Sequence, residues 1–226
     1  MTFLSKIEQA KQLIKEYAKK YPKCAVAISG GKDSGVLFYL IREVASQVPS
    51  FTVLSNTEFP ETIQTIIKMA PQTHFYYFKN DPKKGSEDCC RTPKVEMFKE
   101  AVRDLDMWFS GIRRNEGITR ANFDYVEDRN GLIKVNPLLD WTELDIWRFT
   151  ALYEIPVNPM YKEGYRSLSC SKCSAKEEDE KETERAGRWR GTKNAGFECG
   201  IHSVSLKDLP NKAKEINGRQ NINLRK

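Results

Sequence analysis

The chain has 226 residues, 39% of them hydrophobic and 11% aromatic, which is enough for an ordinary core in one domain, or one domain with an appendage, but not for two equal domains. Thirty-seven basic against 31 acidic residues give a formal net charge of +6, which favours anionic partners without choosing among nucleotide, sulfate ester, nucleic acid and membrane surface. No run approaches the roughly 18 apolar residues of a membrane helix, and no recognition-helix, zinc-finger or single-strand-binding signature appears, so a cytoplasmic protein engaging neither membrane nor nucleic acid is expected.

The N-terminal MTFLSKIEQAKQLIKEYAKKYPK reads as an amphipathic helix over 3–20 rather than a signal peptide. Strand-like runs at 24–29, 51–55, 74–78, 107–111 and 133–135 then alternate with helical patterns at 34–46, 61–69, 93–105 and 142–153. That alternation predicts an α/β fold, a doubly wound and mainly parallel sheet with helices on both faces. Residues 1–155 are expected to form this domain. Beyond Ile155 the chain turns rich in Gly, Lys and Glu and poor in aliphatics, so 156–226 is expected to be an irregular appendage, with KEEDEKETER its most exposed stretch.

Within the first strand-to-helix unit, CAVAISGGKDSGVLFYLIRE, the hexapeptide SGGKDS falls where a helix begins at the carboxyl edge of a sheet. Gly30 and Gly31 allow close backbone approach, the unpaired amides of the helix start point outward, and Lys32 adds charge, so Ser29, Gly30, Gly31, Lys32, Asp33 and Ser34 are a candidate anion cradle. The pattern is neither GxxxxGK[ST] nor GxGxxG. The second strand ends in LSNTEFPET, again at the carboxyl edge where open α/β sheets collect ligands; Thr57 and Pro60 also suit an ordinary helix start.

Six cysteines in a cytosolic chain do not suggest a disulfide framework. Cys89 and Cys90 are adjacent, and Cys170 and Cys173 form a CxxC pair, so these four can supply a tetrathiolate site. Zinc is the rival occupant; adjacent cysteines favour a larger iron-sulfur cubane over the CxxC knuckles of structural zinc. Cys24 and Cys199 stand alone. Cys199 lies in FECGIH, a glycine-flanked segment, with His202 close by as a candidate helper of a thiolate nucleophile.

SGGKDS resembles the phosphate loop of the adenine nucleotide alpha-hydrolase-like superfamily, and ECGIH, CCRTPKVEMF with SLSCSKCS, GIRRNEGITR, NPLLDWTELDIWRF and RAGRW together resemble the cluster-containing adenylyl sulfate and phosphoadenylyl sulfate reductases. The resemblance implies Cys199 as catalytic nucleophile. It implies a 4Fe-4S cluster on Cys89, Cys90, Cys170 and Cys173, with Lys94 linked to it. Leu54, Asn56 and Thr57 would lie beside the adenosine, and Arg113, Arg114, Arg120, Arg185 and Arg188 become candidate sulfate and phosphate ligands, a task suited to the guanidinium. The implied reaction reduces adenylyl sulfate (APS), or its 3'-phosphorylated form (PAPS), to sulfite through an S-sulfocysteine, with thioredoxin or a similar dithiol as external reductant, since 203–226 is too short for a fused thioredoxin domain. The CC…CxxC pattern favours APS. A homo-oligomer is compatible with this reading, and the basic tail after His202 is a docking candidate. Two rivals stand beside it: an ATP pyrophosphatase-type sulfur transferase acting on transfer RNA, and a metal-bearing nucleotide sensor.

Overall fold

The computed structural model describes residues 1–80, 91–179, 183–192, 195, 198 and 200–209. Cys89, Cys90 and Cys199 lie outside the described residues, as does the tail from 210 onward.

Helix α1 (Phe3–Lys20) starts where the Thr2 hydroxyl accepts from the Ser5 amide at 3.2 Å and ends with Lys19 and Lys20 against its negative pole. It buries Ile7, Ala10, Ile14 and Ala18, spaced by three and four residues, as one apolar stripe. Strand β1 (Cys24–Ala27) leads through the glycine turn into α2 (Lys32–Val44), followed by β2 (Ser50–Ser55), α3 (Pro60–Met69), β3 (His74–Phe78), α4 (Arg91–Val102) and β4 (Met107–Phe109). Strands β5 (Val126–Arg129) and β6 (Leu132–Val135) precede α5 (Glu143–Leu152). Thr142 opens α5 with a capping box closed by Asp145, whose carboxylate also takes the Lys6 ammonium at 2.6 Å and so ties α5 to α1.

The described residues form a six-stranded sheet in the order β3-β2-β1-β4-β6-β5, parallel throughout except for β5 against β6. This is the expected α/β architecture, and the helix over 3–20 and the strand over 74–78 fall on their expected bounds. Strand β5 was not among the expected strands. Its VEDR sequence is charged because it is an edge strand with one solvated face, and the turn into β6 is Asn130-Gly131, with φ of 54° and 96°, the left-handed pair that a two-residue hairpin requires. Helix α2 also begins two residues earlier than the 34–46 pattern, because Lys32 and Asp33 are already helical behind the extended Gly31 cap.

Two cores sandwich the sheet. On one face, α1, α2, α3 and α5 pack a large cluster that includes Leu37, Ile41, Ile66, Trp141 and Phe149. On the other, α4 contributes Phe98 and Val102 against Phe51 and Trp108, and Val204 from the C-terminal segment completes the cluster. The segment after Ile155 is therefore not held by charge alone. Asn158 donates to the Thr62 hydroxyl at 2.9 Å, and the Ser171 amide donates to the Thr57 carbonyl at 2.8 Å. Ala175 and Gly187 then lie so close that a Cβ on Gly187 would sit 2.3 Å from the Ala175 carbonyl oxygen. Only glycine permits that crossing.

Candidate active site

Neighbouring strands β1 and β4 are where the strand order reverses, the switch point at which open α/β sheets leave a crevice. A cavity of about 180 Å³ opens there. Its floor is the glycine turn, through Ser29, Gly31, Lys32, Asp33 and Ser34; its walls include Lys94, Arg120, Arg185, Arg188 and His202. Gly30 lies behind the turn at φ 72°, and a Cβ there would meet the Thr62 methyl at 2.9 Å. Residues about 150 apart in sequence thus share one chamber, with α4, Glu184, Arg185, Arg188, Ile201 and His202 on its far side.

The floor is an interlocked set of buried charges. The Arg113 guanidinium, fully buried, donates both terminal nitrogens to Glu184 at 3.0 and 2.5 Å and its Nε to Asp33 at 2.5 Å. Lys32 Nζ lies 2.9 Å from Glu184 and 3.2 Å from Asp33, and the Lys32 amide donates to the Tyr161 hydroxyl at 2.9 Å. Burial alone would lower the Lys32 pKa, but Asp33, Tyr161 and Glu184 outweigh it and hold the ammonium above its ordinary value. Burial would likewise raise the Glu184 pKa, yet its hydrogen bonds from Arg113 and the nearby Lys32 keep it below the usual carboxylate range.

A second ionic knot stands at the rim. Glu198 takes Arg120 Nε at 2.9 Å and Arg185 at 3.3 Å, while Arg120 also reaches Glu116. Burial pushes the Glu198 pKa up, but Arg120, Arg185 and Arg188 overcome this and bring it to about 2. Since the folded value lies below the ordinary 4.5, the stabilisation from this carboxylate is complete above 4.5 and disappears as pH falls toward 2. Glu198→Gln is therefore expected to lower the urea midpoint at neutral pH, with the gap from wild type narrowing steadily below about pH 4.5. A gap independent of pH between about 6 and 3 would show that the carboxylate charge is not what holds the knot.

His202 stacks on Trp108, with ring centroids 5.8 Å apart and planes at 19°. Burial first, then the cations Lys134, Arg120, Arg185 and Arg188, hold its pKa well below 6.5, so the imidazole is neutral at physiological pH. Five buried polar atoms on cavity-lining residues find no hydrogen-bond partner among the described residues: Thr52 Oγ1, Trp108 Nε1, Ser110 Oγ, Arg188 Nε and His202 Nδ1. Orphans of this kind are rare in protein interiors, and these five gather around one cavity.

Other expected ligands sit elsewhere. Arg114 turns away from the cavity to Asp140 and to the Phe123 carbonyl. Leu54 is core, and Asn56 accepts the Asn80 amide at 3.0 Å. Thr57 offers its carbonyl to Ser171, so it positions the CxxC turn. In that turn Cys170 is buried and the Cys173 amide donates to the Cys170 carbonyl at 3.0 Å. A hydrogen bond from Cys173, opposed by burial and aided by Thr57, lowers the Cys170 thiol to about 6. Cys170 and Cys173 thus share one tight turn, in which the Cys170 thiol ionises more readily than a free one. Glu184, Tyr161 and Trp108 were not anticipated. Glu184 carries a signal only in hindsight, as the residue preceding the RAGRW motif, and Tyr161 follows the Asn158-Pro159 turn.

An α/β chain with a mainly parallel sheet, a glycine turn and a polar-walled chamber at its switch point has the adenine nucleotide alpha-hydrolase-like fold. The model of the phosphoadenosine phosphosulfate reductase domain matches residues 23–176, and the chain belongs to this family. Adenosine 5'-phosphosulfate reductase of Burkholderia cepacia is 26% identical over 232 residues, covering 93% of this chain and 92% of the relative. Phosphoadenosine 5'-phosphosulfate reductase of Gloeobacter violaceus is 29% identical over 202 residues, covering 80% and 83%. The crystal structure of phosphoadenylyl-sulfate reductase from Candida auris in complex with phosphate superposes with a TM-score of 0.62 at 18% identity, over 74% of this chain and 90% of that one, and shares the fold. Among the described residues no helix is long and apolar enough to cross a membrane.

Proposed function

We propose that the protein reduces adenylyl sulfate to sulfite and AMP, with Cys199 as nucleophile. The observation that supports the reading is the cavity itself, where the glycine turn, four arginines, Lys94 and a neutral His202 converge on walls with unpaired polar atoms among the described residues. The Cys199 thiolate attacks the sulfonate sulfur, the bond from sulfur to the bridging phosphate oxygen breaks, and AMP leaves with that electron pair. A thiolate of an external dithiol such as thioredoxin then attacks Sγ of the resulting S-sulfocysteine, sulfite departs, and the second thiol resolves the mixed disulfide, restoring Cys199. The dithiol supplies both electrons. Lys94, Arg120, Arg185 and Arg188 neutralise the oxygens of the anhydride, which favours departure of AMP. His202, being neutral, serves as a hydrogen-bonding group toward the sulfonate rather than as a fixed cation. The labour divides between residues 1–155, which carry the glycine turn and most of the nucleotide site, and 156–226, which carry the nucleophile, the CxxC pair and Arg185 and Arg188.

Cys170 and Cys173, with Cys89 and Cys90, would hold a 4Fe-4S cluster, which supplies a covalent cross-link between the CxxC turn and the residues before α4. The depressed Cys170 thiol and the tight CxxC turn fit such a group. Anaerobically purified protein is expected to contain iron and acid-labile sulfide, both lost in Cys170→Ser together with thermal stability; stoichiometric zinc without sulfide would remove the cluster from the proposal.

The deciding assay offers the protein adenylyl sulfate or its 3'-phosphorylated form with reduced thioredoxin, and in parallel ATP with transfer RNA. Sulfite release with higher catalytic efficiency on adenylyl sulfate supports the reading. Preference for the phosphorylated nucleotide reverses the substrate assignment, and pyrophosphate release from ATP without sulfite formation overturns the reductase.

A further inference from the structure

The two strongest hydrogen-bonding features of the glycine turn are both occupied by groups of the chain's own C-terminal half. The Lys32 amide, at the positive end of α2, donates to the Tyr161 hydroxyl at 2.9 Å. The Lys32 ammonium and the Arg113 fork are both taken by one carboxylate, that of Glu184, at 2.9, 3.0 and 2.5 Å. A carboxylate bridging a lysine and a bidentate guanidinium beside a helix N-terminus has the charge, planarity and acceptor geometry of a bound oxyanion. With Asp33 also present, two acids balance the two bases, and Glu143 stands a further 3.8 Å from Lys32. The floor in this arrangement offers an incoming phosphate no net positive charge.

The geometry points to Glu184 as an internal anion that competes with the nucleotide's phosphate for Lys32 and Arg113, so that ligand binding is obliged to detach Glu184 and loosen the segment leading to Cys199. The inference rests on the reading of the cavity as a nucleotide site and adds an affinity-setting residue to it. Glu184 belongs to 183–192, where Gly187 and Arg188 pair with Ala175 and Ser174, and Arg185 meets Glu198 at the rim. Releasing the carboxylate therefore frees a stretch joined at one end to the CxxC turn and at the other to the residue preceding the nucleophile. Exchange of one oxyanion for another also keeps the buried bases compensated throughout, which a simple opening of the floor would not.

Binding of AMP, ADP and adenosine is measured by calorimetry on wild type, Glu184→Gln and Tyr161→Phe, each purified as holoprotein. The glutamine side chain keeps shape but not charge, so Glu184→Gln is expected to bind AMP and ADP about tenfold more tightly while adenosine, which carries no anion, stays within about twofold. Tyr161→Phe should tighten the phosphorylated ligands by a smaller factor. In wild type, saturating ADP should speed amide hydrogen exchange in 183–192. Equal or weaker AMP and ADP affinity in Glu184→Gln makes the carboxylate part of the binding scaffold and overturns the competition. If that variant does not fold, slower or unchanged exchange in 183–192 of wild type with ADP overturns it instead. Failure of wild type and both variants to bind any of the three ligands overturns the nucleotide-site reading, and the competition with it.

Discussion

Cys199→Ser is expected to lower turnover by about three orders of magnitude or more while leaving the fold, the metal content and nucleotide affinity unchanged, since a neutral hydroxyl is a far weaker nucleophile than a partly ionised thiol. The residues flanking it in sequence carry the expectation. Glu198 is tied to Arg120 and Arg185, and His202 and Ile201 line the cavity, so the described residues on either side of position 199 are held by contacts of their own. Incubating wild type with adenylyl sulfate but no dithiol should leave a sulfonate on the peptide containing residue 199, and reduced thioredoxin should discharge it as sulfite. The competing thiol for this role is Cys24. It is buried in β1, and burial pushes its pKa up to about 11, which leaves almost no thiolate at neutral pH. An adduct on Cys24, or a serine variant with normal turnover, would transfer the chemistry away from Cys199.

The largest effect on stability is expected from Arg113→Met. This guanidinium has no exposed surface and holds two carboxylates, Asp33 and Glu184, at distances down to 2.5 Å. Removing it leaves Lys32 as the nearest compensation for both, a loss of about 3 to 5 kcal/mol for a broken buried pair, or a fall in Tm of about 10 °C for a chain of this size. Arg113→Lys keeps the charge but loses the bidentate fork and should fall between the two. Adding Glu184→Gln to Arg113→Met should recover part of the loss, because one of the stranded charges disappears; the coupling in such a cycle measures the pair itself. A Tm within about 2 °C of wild type in the single variant would mean that the site relaxes around the missing fork and that the network contributes little.

Periodicity and turn chemistry made the fold legible. Ile7, Ala10, Ile14 and Ala18 announce α1, and short β-branched runs alternating with helices announce the parallel sheet. Strand β5 escaped because an edge strand with a solvated face has no reason to be apolar, and Val126, Glu127, Asp128 and Arg129 look like loop; the Asn130-Gly131 turn was the signal that marked it. For the site, local motifs located the anion cradle, because a glycine turn and a helix start are encoded next to one another. They did not separate Arg113 from Arg114. Arg113 is the extended residue that precedes a short 3-10 helix opened by Arg114, so the two side chains diverge, one into the charged floor and the other to Asp140, and only the folded chain decides which is which. Glu184 was illegible for a related reason: its role depends on an ion pair 152 residues away in sequence, and a glutamate in a charged stretch reads as solvated surface.

That separation also orders the assembly of the molecule. Contacts that join distant parts of a chain form late, because the loop between them must be closed before they repay its entropy. The parallel ladder from β1 to β6 is complete by Val135, whereas the contacts that dock the C-terminal segment, the roof of the cavity, onto its floor, Lys32 with Tyr161 and Glu184 and Thr57 with Ser171, span 114 to 152 residues. The sheet is thus a platform that can stand before the roof arrives, and the roof is the unit expected to detach at the lowest free energy once it is built. Refolding from denaturant should accordingly restore the signal of the sheet before catalytic competence, with a lag between the two that belongs to docking and not to the hydrophobic core.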